Sequence, residues 1–294
     1  MGKHMQHLGS EVTRAREASS DYALGDSLPE RQRLQEQAMR LCTLTRRFLE
    51  DAGIAEGMRV LEFGSGTAAV TTILADLVGK SGSIVGLERS SAMLDQARAQ
   101  IADARLQNVE FIECTLGEEM PLASDREFDA IVGRLILTHL AEPAATLKLA
   151  IQHLRPGGIV AFQEADFTLC DQLRLMSRDR LPLVNKVCEW IDAATERATM
   201  NRHMGLDLYR TFRLAGLPPP RIHFHTEVYG GLSEERVSAT VTILRNLLPR
   251  LERMGVSAEA VDIETLGVRL TAETIDADAV QARASIASAW SIKP

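Results

Sequence analysis

The chain has 294 residues, of which 45% are hydrophobic and 25% charged, with a formal net charge of −7. That length buries a full core, as one large domain or as one domain with an appended lid, and the composition is ordinary for a soluble globular protein. The acidic balance and the lack of any lysine/arginine run argue against a nucleic-acid backbone as the main partner.

Met1-Gly2-Lys3-His4-Met5 reads as a cloning remnant with Met5 as a plausible native start, and the residues to about Ser20 are polar. Tyr22-Ala23-Leu24-Gly25 then precedes a capping box, Ser27-Leu28-Pro29-Glu30, which announces a helix. Leu34, Ala38, Leu41, Leu44 and Phe48 recur at helical spacing and Gly53 stops the helix. Lying before the first strand, this helix is expected beside the nucleotide site and outside the sheet core.

From Met58 the pattern alternates strand and helix. Val60-Leu61-Glu62-Phe63 feeds the turn Gly64-Ser65-Gly66-Thr67-Ala68, whose glycines let a ligand approach the backbone, and Ala69 is taken as the third small position, where helix meets strand. Ser83-Ile84-Val85-Gly86-Leu87-Glu88 is the second strand, and its terminal acid stands at the distance from the turn that suits a ribose diol. Two ligand classes fit so far, a dinucleotide and an adenosyl compound without a pyrophosphate. Glu62 favours the second, because a carboxylate just before the turn repels a pyrophosphate and attracts an ammonium group. A helix-dipole or salt-bridge partner is the plainer reading of Glu62 taken alone.

Leu94, Ala97, Ile101 and Ala104 form the next helical face, Asn108 to Cys114 the third strand, and Phe128-Asp129-Ala130-Ile131-Val132 the fourth. A helix with Pro143 near its start carries Leu147, Ala150, Ile151 and Leu154, and Leu154-Arg155-Pro156-Gly157-Gly158 turns into a fifth strand, Ile159 to Phe162. Short apolar strands between amphipathic helices argue for a parallel sheet covered on both faces.

With these motifs in order from about Met58 to Asp166, the chain resembles the class I S-adenosylmethionine-dependent methyltransferases. The resemblance implies a Rossmann-like, doubly wound α/β fold with a seven-stranded sheet, S-adenosylmethionine as methyl donor and S-adenosylhomocysteine as product. It places Tyr22, Glu62, Gly64, Ser65, Gly66, Glu88, Arg89, Met93, Thr115, Leu116 and Arg134 at the cofactor. Gly64, Ser65 and Gly66 meet the methionine part and Glu88 the ribose, while Met93 packs on the adenine or, in the alternative, belongs to the ordinary core. Tyr22 closes over the cofactor in this reading, and a hydrophobic staple on the first helix is its alternative. Where many relatives carry an aspartate for the adenine amino group, this chain has Cys114-Thr115-Leu116, which leaves Thr115 or a backbone amide for that contact.

On the acceptor side, Leu135 to Leu140 should form the floor, with His139 the best-placed general base and a structural hydrogen bond as its alternative. Glu164 and Asp166, at i and i+2 on the fifth strand, share a face with Phe162. They could take a proton or hold a substrate amine, or one could cap a following helix. Methyl transfer asks chiefly for alignment and exclusion of water, so motifs alone do not reveal catalytic residues.

After Asp166 the rhythm changes. The chain divides into an extension and helix (1–54), the cofactor-binding core (55–166), a lid insertion (167–204) and a remainder (205–294) that holds a second helical insertion at about 232–278. Lid material is one reading of these insertions and scaffolding or a dimer surface is the other. A helix runs from about Gly205 to Ala215, Arg221 to Tyr229 alternates like a strand, and Val237, Val241, Leu244, Leu248 and Leu251 share one helical face. Val261 to Leu270 should be helical and Ala282 to Ile292 the last strand. Met176, Val187, Met200, Leu244 and Leu248 are expected around an apolar acceptor pocket. Arg174, Arg178 and Arg180 could grip an anion or lie on a solvated face, and His203 is a weaker candidate. His223 and His225 lack a third ligand, so no metal is expected.

Cys42, Cys114, Cys170 and Cys188 contain no Cys-x-x-Cys pair and read as reduced, mostly buried thiols of a cytoplasmic protein. No apolar run is long enough to span a membrane. The reading is an enzyme that methylates a small, partly apolar metabolite on oxygen, nitrogen or carbon, in secondary metabolism, with neither nucleic acid nor membrane as partner and a homo-oligomer left open. Its alternative is a fold relative that couples or replaces methylation with cyclisation. A nucleic-acid or protein methyltransferase is disfavoured by charge.

Overall fold

Seven strands form one sheet in the order β3-β2-β1-β4-β5-β9-β6. They are β1 (Arg59–Phe63), β2 (Ser83–Glu88), β3 (Val109–Glu113), β4 (Phe128–Arg134), β5 (Leu154–Asp166), β6 (Arg221–His225) and β9 (Ser285–Ile292). The computed structural model describes residues 28–117, 120, 122–196, 200–231, 233–277 and 279–294, and within them the side chains from 36 onward except those of 195 and 196. Tyr22 and Ser27 lie outside the described residues. The strands from β3 to β5 are parallel, while β9 runs antiparallel between β5 and β6. The order reverses between β1 and β4, so the carboxyl ends of these two strands frame the crevice where a doubly wound sheet takes its ligand.

Alternation along each strand sends side chains to two cores. Leu61, Phe63, Ile131, Val160 and Phe162 face α4 (Pro143–Ala150) and α7 (Met204–Leu214). There Phe63, Phe162 and Phe212 stack edge-to-face at 5.7 and 6.3 Å. Val60, Ile84, Ala130, Val132, Ile159 and Trp290 face α1 (Leu28–Ala52) and α2 (Ala69–Val78). The expectation for α1 is thereby corrected: Phe48, Leu49 and Ala52 are buried in this second core. The cause is the apolar stripe Leu41, Phe48, Leu49, Ala52, which must be covered and finds the sheet face open. Helix α3 (Ser91–Asp103) completes the core, its Ser90 hydroxyl accepting from the Met93 amide at 3.3 Å.

Three further expectations change. Arg221 to Tyr229 is not one strand: it breaks after His225, and β7 (Val228–Gly230) pairs with β8 (Val280–Ala282) in a separate ribbon. The last strand likewise divides into β8 and β9. The insertion helices α5 (Thr168–Met176), α6 (Pro182–Glu196), α8 (Glu234–Arg253), α9 (Ala258–Val261) and α10 (Ile263–Asp276) do not line a pocket with the expected residues. Val187, Leu244, Leu247, Val261, Leu266 and Leu270 close on one another as a core of their own, Leu248 packs at its margin, and Met176 is 78% exposed. An amphipathic face turned to its neighbours is satisfied without a ligand. Arg174 is tied to Asp192 at 2.8 Å, and Arg202 bridges Asp192 and Asp171 at 2.7 and 3.2 Å, so Arg174 staples the insertion together.

Candidate active site

The turn after β1 has three residues in the left-handed region, Gly64 (φ +65°), Gly66 (φ +52°) and Ala68 (φ +70°). At Gly64 a Cβ would stand 2.8 Å from Ile136 Cδ1, whereas at Gly66 it would meet nothing within 4 Å. Gly64 is thus required by the protein, and Gly66 leaves room for something outside it. The third small position is Ala68, not Ala69: Ala68 is fully buried and packs against Ala97 and Ile101. The Ser65 hydroxyl is buried and has no partner among the described residues.

Three charged side chains meet over this turn from one face of the sheet. Glu88 Oε2 accepts from the Gly66 amide at 3.1 Å, and its Oε1 accepts from the Arg89 and Ser90 amides at 2.9 Å each. Glu62 is buried and accepts from the Thr71 hydroxyl at 2.6 Å; burial pushes its pKa up to about 7, against the Thr71 bond and the Arg134 charge. Arg134 Nη1 donates to Thr45 Oγ1 at 3.0 Å, and its pKa is lowered by burial although Glu62 works against this. Thr45 donates to Gln163 at 2.8 Å and Gln163 to Ser288 at 2.9 Å, a relay that fixes Arg134 from α1 through β5 to β9. Sequence reasoning missed this relay. Its signal was a threonine on the apolar stripe of α1 and a glutamine in the otherwise apolar β5, both buried. Met93 is half-buried at the start of α3, Thr115 exposed after β3, Leu116 packed on the first core, and Arg89 exposed.

Leu135, next after Arg134, has φ +54°, a strained conformation for leucine worth about 1 kcal/mol or more. It turns the chain so that the amides of Ile136 and Leu137 reach Glu164 Oε1 at 3.0 and 2.8 Å, with Thr138 at 3.4 Å from Oε2. Burial pushes Glu164 up to about 7 in spite of these three bonds. Asp166 accepts from Thr168 N at 3.0 Å and from Leu206 N at 2.9 Å, so it caps α5 and α7. Both carboxylates share the Phe162 face, as their spacing predicted, but that face is opposite the one holding Glu62, Glu88 and Arg134. The proton-transfer role expected of Glu164 and Asp166 gives way to anchoring, since backbone donors occupy both groups.

His139 ends the short 3-10 turn Leu137–His139 and is exposed. The protein around the ring, and then the Arg89 charge, lower its pKa, less than full burial would because the side chain is exposed, so the imidazole is neutral near neutral pH. His203 precedes α7 and shares a 3.1 Å hydrogen bond with Thr168. His223 lies on the exposed edge strand, with its ring 4.9 Å from that of Trp290. No cluster of His, Cys, Asp and Glu among the described residues could hold a metal ion. Cys42 is exposed and Cys114, Cys170 and Cys188 are half-buried, where mostly buried thiols were expected.

A family model described as a methyltransferase domain matches residues 54–216. The chain belongs to this methyltransferase family. Over 129 residues it is 33% identical to the arsenite methyltransferase of Aquipseudomonas alcaligenes, covering 41% of this chain and 37% of that protein. Over 198 residues it is 25% identical to the demethylmenaquinone methyltransferase of Staphylococcus saprophyticus, covering 63% and 80%. A solved protein from Bacillus halodurans C-125 shares the fold, with a TM-score of 0.57 and 17% identity over 85% of this chain and 98% of that one. The chain spans about half the length, or less, of most of the curated relatives it matches.

The cofactor of these class I methyltransferases is S-adenosylmethionine, and the residues present fit it. The space before Gly66, the unpartnered Ser65 hydroxyl and the free lone pairs of Glu88 lie together at the switch point. Two carboxylates flanking the turn suit a cation and not a pyrophosphate. No helix among the described residues is long and apolar enough to cross a membrane.

Proposed function

We propose that this methyltransferase transfers a methyl group from S-adenosylmethionine to a small, partly apolar metabolite. The observation that carries the reading is Glu62, Glu88 and Arg134 over one open glycine turn. Glu88 would accept from the ribose hydroxyls, Glu62 from the ammonium group, and Arg134, held by Thr45, would donate to the carboxylate. Met93 would pack on the adenine, with Thr115, Leu116 and Arg89 at its rim. When bound, the cofactor supplies an activated sulfonium methyl. Glu164 and the strained Leu135 fix the 3-10 turn that presents His139 to the acceptor. Neutral near neutral pH, the His139 imidazole is suited to accepting a hydrogen bond from an acceptor hydroxyl and aligning it.

The curated relatives named above act on arsenite and on demethylmenaquinone. The test is incubation of the protein with methyl-labelled S-adenosylmethionine and a small-molecule extract. Label should enter an acceptor below protein size, and turnover should fall in His139→Ala far more than cofactor affinity. Label retained in nucleic acid or protein, or none transferred to any pool, would refute the reading.

A further inference from the structure

We propose that the insertion carries a binding site for an anionic oxygen group of the acceptor, held by Tyr229, Arg236 and Gln281; the assignment to an acceptor rests on the methyl-transfer reading. The site is built on the β7–β8 ribbon, where Tyr229 and Gln281 stand opposite each other in register and so share one face. The Arg236 guanidinium, from the first turn of α8, lies 3.9 Å from the centre of the Tyr229 ring. Cys170 of α5 donates to the Ala282 carbonyl at 3.3 Å and packs that helix on the ribbon.

Tyr229 Oη, Gln281 Nε2 and Arg236 Nε are all buried, and none has a hydrogen-bond partner among the described residues. Buried polar groups left unpaired are few in native proteins and each is costly, so three at one corner point to a partner that arrives from outside. All three can donate, and one carries a full positive charge. The nearby carboxylates are committed elsewhere. Arg283 lies 2.7 Å from Glu227 and 3.2 Å from Glu235, which leaves Arg236 with no ion pair among the described residues. Three donors and one cation without a close ion pair select an oxyanion, a carboxylate or an ionised phenol or enol. Burial raises Tyr229 to about 12 and lowers Arg236.

Placement agrees with this use. Helix α5 starts two residues beyond Asp166, the carboxyl end of β5, so the ribbon it packs on lies at the same edge of the sheet as the glycine turn. An acceptor anchored here by its anionic end would project its other end along that edge.

The test is calorimetric titration of the full chain with benzoate, with 4-nitrophenolate and with neutral benzamide, each with and without S-adenosylhomocysteine. One of the two anions should bind at least about tenfold more tightly than benzamide, and which one does so tells carboxylate from phenolate. Arg236→Gln should weaken that anion at least about tenfold. Tyr229→Phe, which keeps the ring under Arg236 and so the fold, should weaken it severalfold. Affinity for S-adenosylhomocysteine should be unchanged in both. No preference for an anion, or equal binding by the variants, would mean that buried water satisfies these groups and would overturn the proposal. An anion site lost in Arg236→Gln in a protein that fails to bind S-adenosylhomocysteine would sustain the site and sink the methyl-transfer reading instead.

Discussion

Replacing Glu164 separates anchoring from proton transfer. Its carboxyl group takes three backbone amides, from Ile136, Leu137 and Thr138, in a fully buried position. Glu164→Ala would leave those donors unpaired at about 1–3 kcal/mol each, so a loss of roughly 3–9 kcal/mol is expected. Glu164→Gln keeps an acceptor for Ile136 and Leu137 and gives up only the long bond to Thr138, a change of about 1 kcal/mol. The wild-type carboxyl is raised from 4.5 to about 7, chiefly by burial. Being raised in the folded state, it contributes stability that is fully present below 4.5 and is lost as pH rises through about 7. The shift corresponds to about 3 kcal/mol. Urea unfolding should therefore show Glu164→Gln gaining on the wild type between about pH 5 and about pH 8, by up to that amount. Its turnover should remain within about tenfold of the wild type, since the 3-10 turn keeps two of its three ties. A pH profile of stability identical to wild type, together with abolished turnover, would refute the anchoring role and restore Glu164 as a proton acceptor.

Glu62 is also raised to about 7, and a cationic ligand favours its ionised form, so affinity for S-adenosylmethionine should rise with pH through about 7 and the rise should vanish in Glu62→Gln. Calorimetry across that range checks the slope. Gly64→Ala forces a Cβ to 2.8 Å from Ile136 at positive φ, and should cost about 1–3 kcal/mol by denaturant unfolding and displace the 3-10 turn. Phe162→Ala removes the middle ring of the Phe63–Phe162–Phe212 stack and should cost about 3–5 kcal/mol in the same assay.

The parallel core was legible because its signals are local. Apolar strands, the turn from Gly64 to Ala68 and the acid at Glu88 are each fixed by neighbours in sequence, and their order fixes the sheet. The boundary at His225 was not legible, since alternation continues through Val228 while the partner strand changes from β9 to β8. Glu164 and Asp166 were placed on the correct face, but their task depends on amides at 136–138 and at Leu206, which no spacing along β5 reveals. The insertion misled for a different reason. Apolar faces on α6, α8 and α10 are required equally by a pocket and by a packed bundle, and only the tertiary contacts decide. The relay from Arg134 to Ser288 was written in the buried Thr45 and Gln163, yet a lone polar residue on an apolar stripe does not name its partner.

Calorimetric titration of the wild type and of Glu88→Ala with S-adenosylhomocysteine, with NADH as the control ligand, tests the central claim most directly. Glu88 holds the Gly66 amide and retains lone pairs for a ribose diol, so its loss should weaken S-adenosylhomocysteine by about 1.5–3 kcal/mol, while NADH should not bind either protein. Equal affinity of the two proteins for S-adenosylhomocysteine, or tight binding of NADH in its place, would contradict the account.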